Sequence, residues 1–352
     1  MIRKVAKQVP VPLGAIRRLE AWFPLVLRDL PWRKQRTPWR VFVSEVMLQQ
    51  TQASRVAEKF PAFVRRFPNP KRLARACEQD VLALWQGLGY YRRAKNLHAA
   101  AKIITTRCRG RVPRTSLELQ SLPGIGRYSA GAIASIAFDK VEPIVDGNVA
   151  RVLSRLADRR ESAKGKVADE WLWSAAEKCV RAAKSPAVLN EALMELGATV
   201  CVPKNPRCAQ CPVRACCAAF KANSQEFVPL KQSAAPKRTV VHHALVEIRG
   251  SSMGMITRPA TGLWAGMLSP PVVECVQVLR PAKLLAEMRE VKRIEKFRGE
   301  FTFLTTHRAI RFRVYVATFH SHVKLRWISL KKLEHYAVSN AVLKIAKTAV
   351  EK

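Results

Sequence analysis

Acidic residues are scarce in this 352-residue chain: 26 Asp and Glu stand against 62 Lys and Arg, a formal net charge of +36. So large a cationic excess calls for a polyanionic partner, nucleic acid before an acidic membrane surface. Long apolar runs are also missing. The longest uncharged span, Pro259 to Val273, holds three prolines and two glycines. A membrane helix needs about 20 consecutive apolar residues, so no segment is expected to span a bilayer. The basic N-terminus (Arg3, Lys4, Lys7) is interrupted by Pro10 and Pro12 and no apolar stretch follows, which reads as no signal peptide. Cysteines number nine, an odd count, and four crowd between 201 and 217. That excludes a disulfide framework and points to a metal site in a reducing, cytoplasmic compartment. The hydrophobic share of 48% allows ordinary cores, and the length favours two domains.

What is present is organised around Leu122 to Asn148, LPGIGRYSAGAIASIAFDKVEPIVDGN. Gly124 and Gly126 leave the backbone of an apolar turn bare, so amide N–H groups can approach a phosphate. The helix after them points its positive end at the same place. Asp146 then delivers a carboxylate close to a polyanion that repels it, which suggests chemistry rather than affinity. The plainer alternative is a helix–helix turn, with Asp146 capping the next helix.

Upstream, residues 14–30 read as an amphipathic helix. Thr37-Pro38 starts another, with Thr as cap and Pro at the first position, running on through RVFVSEVMLQQTQASRVAEKF. Glu45 sits in it among Val41, Phe42, Val46, Met47 and Leu48. Apolar surroundings disfavour the anion and raise the pKa, as a general acid near neutral pH requires. The alternative is a solvent-facing glutamate paired with Arg40 or Lys59. Gln49 and Gln50 would project from nearly the same face, either to read base edges or as helix surface. A helix over 71–84 precedes Trp85-Gln86-Gly87-Leu88-Gly89-Tyr90-Tyr91-Arg92-Arg93-Ala94-Lys95. Tyr90 and Tyr91 with the cations that follow form either an aromatic wedge beside a phosphate patch or a buried tyrosine pair. Helices are expected over 94–107, 149–156, 171–183 and 190–197, the last carrying Glu191 toward a pocket or toward solvent.

Cys201-x6-Cys208-x2-Cys211-x5-Cys217 offers four soft ligands, which select zinc or an iron–sulfur cluster. Spacing does not exclude Cys216 from the set. From 221 to 237 periodicity is lost, as in a linker. Beyond it 239–249 and 310–319 alternate as strands do, with Ile310, Phe312, Val314 and Val316 on one face and Arg311, Arg313 and Tyr315 on the other. Short helices around 281–290 and from 339 complete a small α+β domain with a basic sheet face.

SEVMLQQTQ, WQGLGYYRRAKNL, LPGIGRYSAGA, IVDGNV, NEALMELGATVC and the four-cysteine loop occur in this order. Together they resemble the helix-hairpin-helix DNA glycosylases with a [4Fe–4S] cluster, and more narrowly the MutY-type adenine DNA glycosylases. The resemblance covers roughly residues 20–220 and continues through GLWAGMLSPP into a domain similar to the Nudix fold. It implies a mainly α, two-lobed helical core (1–220), a linker (221–237) and a C-terminal α+β Nudix-like domain (238–352).

Position 128 separates two branches. The endonuclease III branch carries a lysine there that forms a Schiff base; this chain has Tyr128, which cannot, so the resemblance implies a monofunctional glycosylase. In that scheme Glu45, protonated, donates to N7 of an extruded adenine. Asp146, ionised, stabilises the oxocarbenium-like sugar by charge or transient covalent attachment. Tyr128 and Asn148 position these groups, and Glu191 and Arg33 contact the extruded base. Tyr90 and Gln50 fill or wedge the vacated gap, Gln49 is a further DNA-binding candidate, and Gly124 and Gly126 hold the phosphate backbone. Cys201, Cys208, Cys211 and Cys217 hold the [4Fe–4S] cluster. The family reads 8-oxoguanine opposite the adenine through a Phe-Ser-His-like turn. Here Thr305-Thr306-His307 keeps a hydroxyl at Thr306 and the imidazole at His307 but loses the aromatic. The Nudix glutamate signature is absent, so no nucleotide hydrolysis is expected. The expected partner is duplex DNA with A:8-oxoguanine or A:G mispairs, bound by a nucleoid-associated monomer. Two alternatives remain: an endonuclease III-like or thymine-directed glycosylase, and a non-catalytic iron–sulfur redox sensor on DNA.

Overall fold

The computed structural model describes residues 11–230 and 236–351. The basic residues Arg3, Lys4 and Lys7, and part of the expected linker, lie outside them. The described residues form two compact units, one from 11–74 and 99–230, the other from 75–98 and 236–351.

The first unit is helical: α1 (Leu13–Val26), α2 (Pro38–Leu48), α3 (Ala53–Arg66) and α4 (Pro70–Ala74) come first. Further along the chain α5 (Glu78–Leu84) belongs to the second unit, and α6 (Arg92–Arg107) begins there. The first unit resumes with α7 (Ser116–Gln120), α8 (Arg127–Phe138), α9 (Gly147–Leu156), α10 (Lys166–Ala182), α11 (Pro186–Thr199) and α12 (Ala218–Lys221). Helix α11 packs against α1, α8 and α9. Its buried Leu189, Ala192, Leu193 and Leu196 join Ile16, Leu19, Val152 and Leu153 in one core. Gly197 makes a close approach: a Cβ there would stand 2.5 Å from Asn148 Cβ. The bare backbone lets α9 carry Asn148 directly against α11.

Local chemistry sets several helix starts. Thr37 caps α2 by accepting from Arg40 N, with Pro38 at the first position. Thr115 and Glu118 form a capping box on α7, and Ser185 caps α11. Three expectations fail on the backbone. The helix expected over 14–30 ends at Val26, its last turn weakened by Pro24. The helix expected from 40 to 60 is two, broken where Gln50 takes φ +55°. The helix expected over 71–84 is likewise two short ones. Residues 221–230 are not a free linker: Arg155 Nε donates to Val228 O (2.9 Å), and Ser224 hydrogen-bonds Asp158.

In the second unit a four-stranded sheet is ordered β5-β1-β7-β6. Its strands are β1 (Arg238–Val246), β5 (Val272–Cys275), β6 (Val291–Leu304) and β7 (Arg308–Phe319). Strands β1 and β7 run parallel, with His242 opposite Phe312; the other pairs are antiparallel. A smaller sheet joins β2 (Ile248–Arg249), β3 (Ser252–Thr257), β4 (Leu268–Ser269) and β8 (Arg326–Ser329). Helix α14 (Asn340–Val350) covers the Ile310, Phe312, Val314 face. The opposite face is only in part the basic surface expected: Arg311 and Arg313 lie on it, both paired with Glu300. There Tyr315, Ala317 and Phe319 are buried with Leu245 and with Leu284 of α13 (Pro281–Glu287).

Residues 75–98 were expected within the helical core, yet they group with this unit. Gln79 Nε2 donates to Gly266 O (2.8 Å), while Gln86 Nε2 and Tyr91 Oη donate to Val338 O (3.4 and 3.2 Å). Tyr91 is thus a buried tyrosine and Tyr90, at φ +46° and 45% exposed, the outward one.

Candidate active site

The helical unit encloses a cavity of about 380 Å³, within the range of small-ligand sites (roughly 300–1,000 Å³). Glu45 of α2, Tyr128 of α8, Asp146 at the cap of α9, Asn148 within α9, and Glu191 of α11 all line it, as does Arg33. Residues spread over 158 positions of sequence therefore converge, because α11 packs between α1, α8 and α9.

The carboxyls live in different environments. Glu45 is 5% exposed, and its Oε2 has no hydrogen-bond partner among the described residues. Arg40 does not reach it, donating instead to Pro31 O (3.1 Å). Burial, then the charges of Glu191 and Asp146, push the Glu45 carboxyl up to about 8, against a smaller opposing pull from the Tyr128 hydroxyl. The group is therefore mostly protonated at neutral pH. Burial and the neighbouring carboxylates also drive the Tyr128 phenol well above its ordinary range, so it stays neutral. Its hydroxyl lies 3.5 Å from Met194 Sδ. Asp146 is held by hydrogen bonds to both oxygens: Oδ1 accepts from Val149 N (2.7 Å) and Oδ2 from Asn148 Nδ2 (3.0 Å). The plain helix cap and the cavity carboxylate are thus the same side chain, and capping is what aims it.

Residues that spacing did not single out hold this arrangement. Arg151 Nη2 donates to Asn148 Oδ1 and Gly197 O (both 2.8 Å), and its Nε to Cys201 O (2.7 Å). Arg33 lines the cavity but is heavily engaged: Nη2 binds Glu195 Oε2 (2.8 Å) and Nη1 donates to Arg28 O (3.3 Å). Glu191 and Glu195, one turn apart on α11, are both buried and meet Arg36, Arg33 and Arg28. The i, i+4 glutamates are visible in the sequence; their partners, more than 150 residues away, are not.

Gln49 and Gln50 do not share a face. Gln49 ends α2 and donates to Ser129 Oγ (2.9 Å) and Gly124 O (3.3 Å), bracing the hairpin, while Gln50 turns away in the left-handed conformation. Gly124 takes φ +78°, as the tight turn requires. Gly126 begins α8 without a side-chain cap, leaving the leading amides of that helix to other acceptors.

In the second unit Thr305-Thr306-His307 turns between β6 and β7. Thr305 Oγ1 accepts from Arg308 N (3.0 Å), and His307 O accepts from Arg238 N (3.3 Å). Thr306 Oγ1 lies 2.7 Å from the Tyr90 hydroxyl. The structure therefore brings together an aromatic and a turn that the sequence separates by 216 residues.

Cys201, Cys208, Cys211 and Cys217 share the wall of a second cavity, and Cys216 is not in it. Arg155, 2% exposed, ties their loop down: it donates to the carbonyls of Val202 (2.8 Å) and Pro203 (3.3 Å), and its Nη1 lies 3.4 Å from Cys201 Sγ. Among the described residues no group of three or more His, Cys, Asp or Glu side chains is arranged to hold a metal ion. Four soft sulfurs around one cavity are the donor type that zinc or an iron–sulfur cluster takes. Also among the described residues, no helix is long and apolar enough to cross a membrane.

Residues 43–178 match the model of the HhH-GPD superfamily of base excision DNA repair proteins, and 243–348 match a NUDIX domain. A solved thermostable thymine-DNA glycosylase is 25% identical, with a TM-score of 0.53 over 59% of this chain and 95% of that one. An endonuclease III–DNA complex (22% identical, TM-score 0.51, over 60% of this chain and 95% of that one) shares the helical fold. The adenine DNA glycosylase of Rattus norvegicus is 44% identical over 59% of this chain and 42% of its own length. That of Mycobacterium tuberculosis is 42% identical over 56% of this chain and 65% of its own. The chain spans only about two fifths of the length of the mammalian relatives it matches. The adenine DNA glycosylase of Buchnera aphidicola subsp. Schizaphis graminum is 32% identical over 80% of this chain and 81% of its own length. With its helical fold, its C-terminal NUDIX match and a relative aligned along most of both chains, this chain belongs to the adenine DNA glycosylase family.

Proposed function

We propose that the protein is a monofunctional DNA glycosylase of base excision repair that removes adenine mispaired with 8-oxoguanine or guanine. The observation that carries this is the meeting of a buried Glu45, its carboxyl pushed up to about 8, and a doubly hydrogen-bonded Asp146 at one cavity.

The extruded adenine enters the cavity at a cost of a few kcal/mol in lost stacking and pairing. Glu45 donates its proton to N7, making the base a neutral leaving group. Asp146 faces the sugar as positive charge develops at C1′, and Asn148 keeps it aligned. Water then completes hydrolysis. Tyr128 stands where a lysine would attack the sugar, and a phenol forms no imine, so the strand is not cut in the same reaction. The uncapped amides at the start of α8 take the phosphate backbone. Tyr90 and Thr306, joined by their hydroxyls, are the groups we assign to recognition of 8-oxoguanine, with His307 beside Thr306 in the turn.

Cys201, Cys208, Cys211 and Cys217 would hold a [4Fe–4S] cluster, which supplies a rigid cross-link of the loop that carries Lys204, Arg207 and Arg214 toward phosphate. Iron and acid-labile sulfide in the purified protein support the cluster; a colourless protein with one zinc per chain refutes it.

The deciding assay incubates duplexes carrying a single A:8-oxoguanine, A:G or T:G pair with the protein, followed by alkali. Cleavage at adenine is expected in the first two. An intact adenine strand overturns the proposal, and cleavage at thymine alone moves the protein to the thymine-directed class. Duplex binding without any cleavage would favour the non-catalytic sensor.

A further inference from the structure

The segment between α1 and α2 carries Arg28, Arg33 and Arg36, and α11 offers Glu195 and Glu191 to them. Arg36 closes on Glu191 as a fork: Nη1 to Oε2 and Nη2 to Oε1, both 2.7 Å. Arg33 Nε lies 3.5 Å from Glu191 Oε1. Glu195 is held separately, by Arg28 Nη2 (3.0 Å) and Arg33 Nη2 (2.8 Å). Glu191 is 5% exposed, yet it lines the cavity that contains Glu45. A bidentate fork is the most directional of ion pairs, and it fixes the plane of the carboxylate as well as its position.

An ionised carboxylate only accepts hydrogen bonds, with about four lone-pair sites, so a fork on both oxygens leaves acceptor capacity free. Among the polar groups that line it, the cavity thus offers a base a donor, the Glu45 carboxyl, and an acceptor fixed by the fork, Glu191. Adenine presents the complementary pair on one edge: N7 accepts and the 6-amino group donates. A 6-oxo purine puts an acceptor where the amino group stands, which would oppose the carboxylate.

We propose that Arg36 is a positioning residue that sets base selectivity, by holding Glu191 as the acceptor for the 6-amino group of the extruded purine. This rests on the glycosylase function proposed above and goes beyond it, assigning a role to a residue that touches neither sugar nor base.

The test compares single-turnover excision by wild type, Arg36→Gln and Arg36→Lys from three duplexes. These place adenine, unsubstituted purine (no 6-amino group) or hypoxanthine (6-oxo) opposite the same base. In Arg36→Gln the rate on adenine is expected to fall roughly 10- to 100-fold, the scale of a misplaced charge-assisted hydrogen bond. The rate on unsubstituted purine should fall less than about 3-fold, so the adenine-to-purine ratio collapses. Arg36→Lys keeps the charge without the fork and is expected in between. A purely structural role would lower both rates equally, and an unchanged ratio overturns the inference. Single-turnover rate constants do not depend on the folded fraction, so partial unfolding of a variant lowers the amplitude and leaves the ratio readable. Wild type inactive on adenine would instead refute the glycosylase function itself, which separates the two failures.

Discussion

Replacing Glu45 by glutamine should raise the pH resistance of the helical unit while ending base release. The folded carboxyl binds its proton up to about pH 8, whereas the unfolded one releases it near 4.5. Between those values the native state holds more protons than the unfolded chain, so stability falls as pH rises. Each pH unit in the window costs about 1.4 kcal/mol, which amounts to on the order of 3 kcal/mol at pH 7 and on the order of 5 above pH 8. Glutamine has nearly the same shape and does not titrate in this range. Its buried amide costs about 1–3 kcal/mol where it lacks a partner, but equally at every pH. The informative quantity is therefore the change with pH in the melting-temperature difference between wild type and Glu45→Gln. From pH 5 to pH 8.5 it should move in favour of the variant, by roughly 2–4 °C per kcal/mol for a unit of this size. Excision from an A:8-oxoguanine duplex should be undetectable in the variant, with duplex binding retained. In wild type, excision should fall on the alkaline side as Glu45 loses its proton. Parallel melting curves at all pH values would refute the buried-acid argument. Normal turnover by the variant would show that another group supplies the proton.

The second unit should respond to pH in the opposite sense. His242 and His243 are 1% and 0% exposed, and burial pushes both below the ordinary imidazole value. Their contribution is intact above about pH 6.5 and is lost as pH falls below it, so a calorimetric transition of this unit that is unchanged down to pH 5 would contradict the assignment. Gly197→Ala sets a methyl against Asn148 Cβ at 2.5 Å. It should destabilise the helical unit by about 1–3 kcal/mol and slow excision more than 10-fold in material that is still folded, whereas normal rates would mean that the α9–α11 approach does not position Asp146. Tyr90→Phe removes the hydroxyl paired with Thr306 and should reduce affinity for an 8-oxoguanine-containing duplex a few-fold, the scale of one neutral hydrogen bond (about 0.5–1.5 kcal/mol); equal binding by the two proteins, measured by fluorescence anisotropy, would remove the pair from recognition.

Features whose physics is complete within a few residues were legible before any fold was known. Thr37-Pro38 specifies a helix start by its own cap, Gly124 supplies the one backbone conformation the hairpin needs, and four clustered cysteines announce soft-metal chemistry. Six apolar residues within four positions of Glu45 pointed to a neutral carboxyl, although the sequence alone left a solvent-facing glutamate open.

Tertiary packing decided everything that depends on partners far apart in the chain. Whether Glu191 faced solvent or cavity turned on Arg36, 155 residues away. The break at Gln50 falls where Gln49 bonds the hairpin at Gly124 and Ser129, contacts that no helix propensity encodes. Residues 75–98 look like one more piece of the helical core until Gln86 and Tyr91 are seen to bond Val338. Cys216 is told from the other four only in the fold, where it does not line the cavity they share. Caps, turns and ligand types are short-range and written in order along the chain; burial and charge pairing are long-range, and exist only once α11 has closed against α1, α8 and α9.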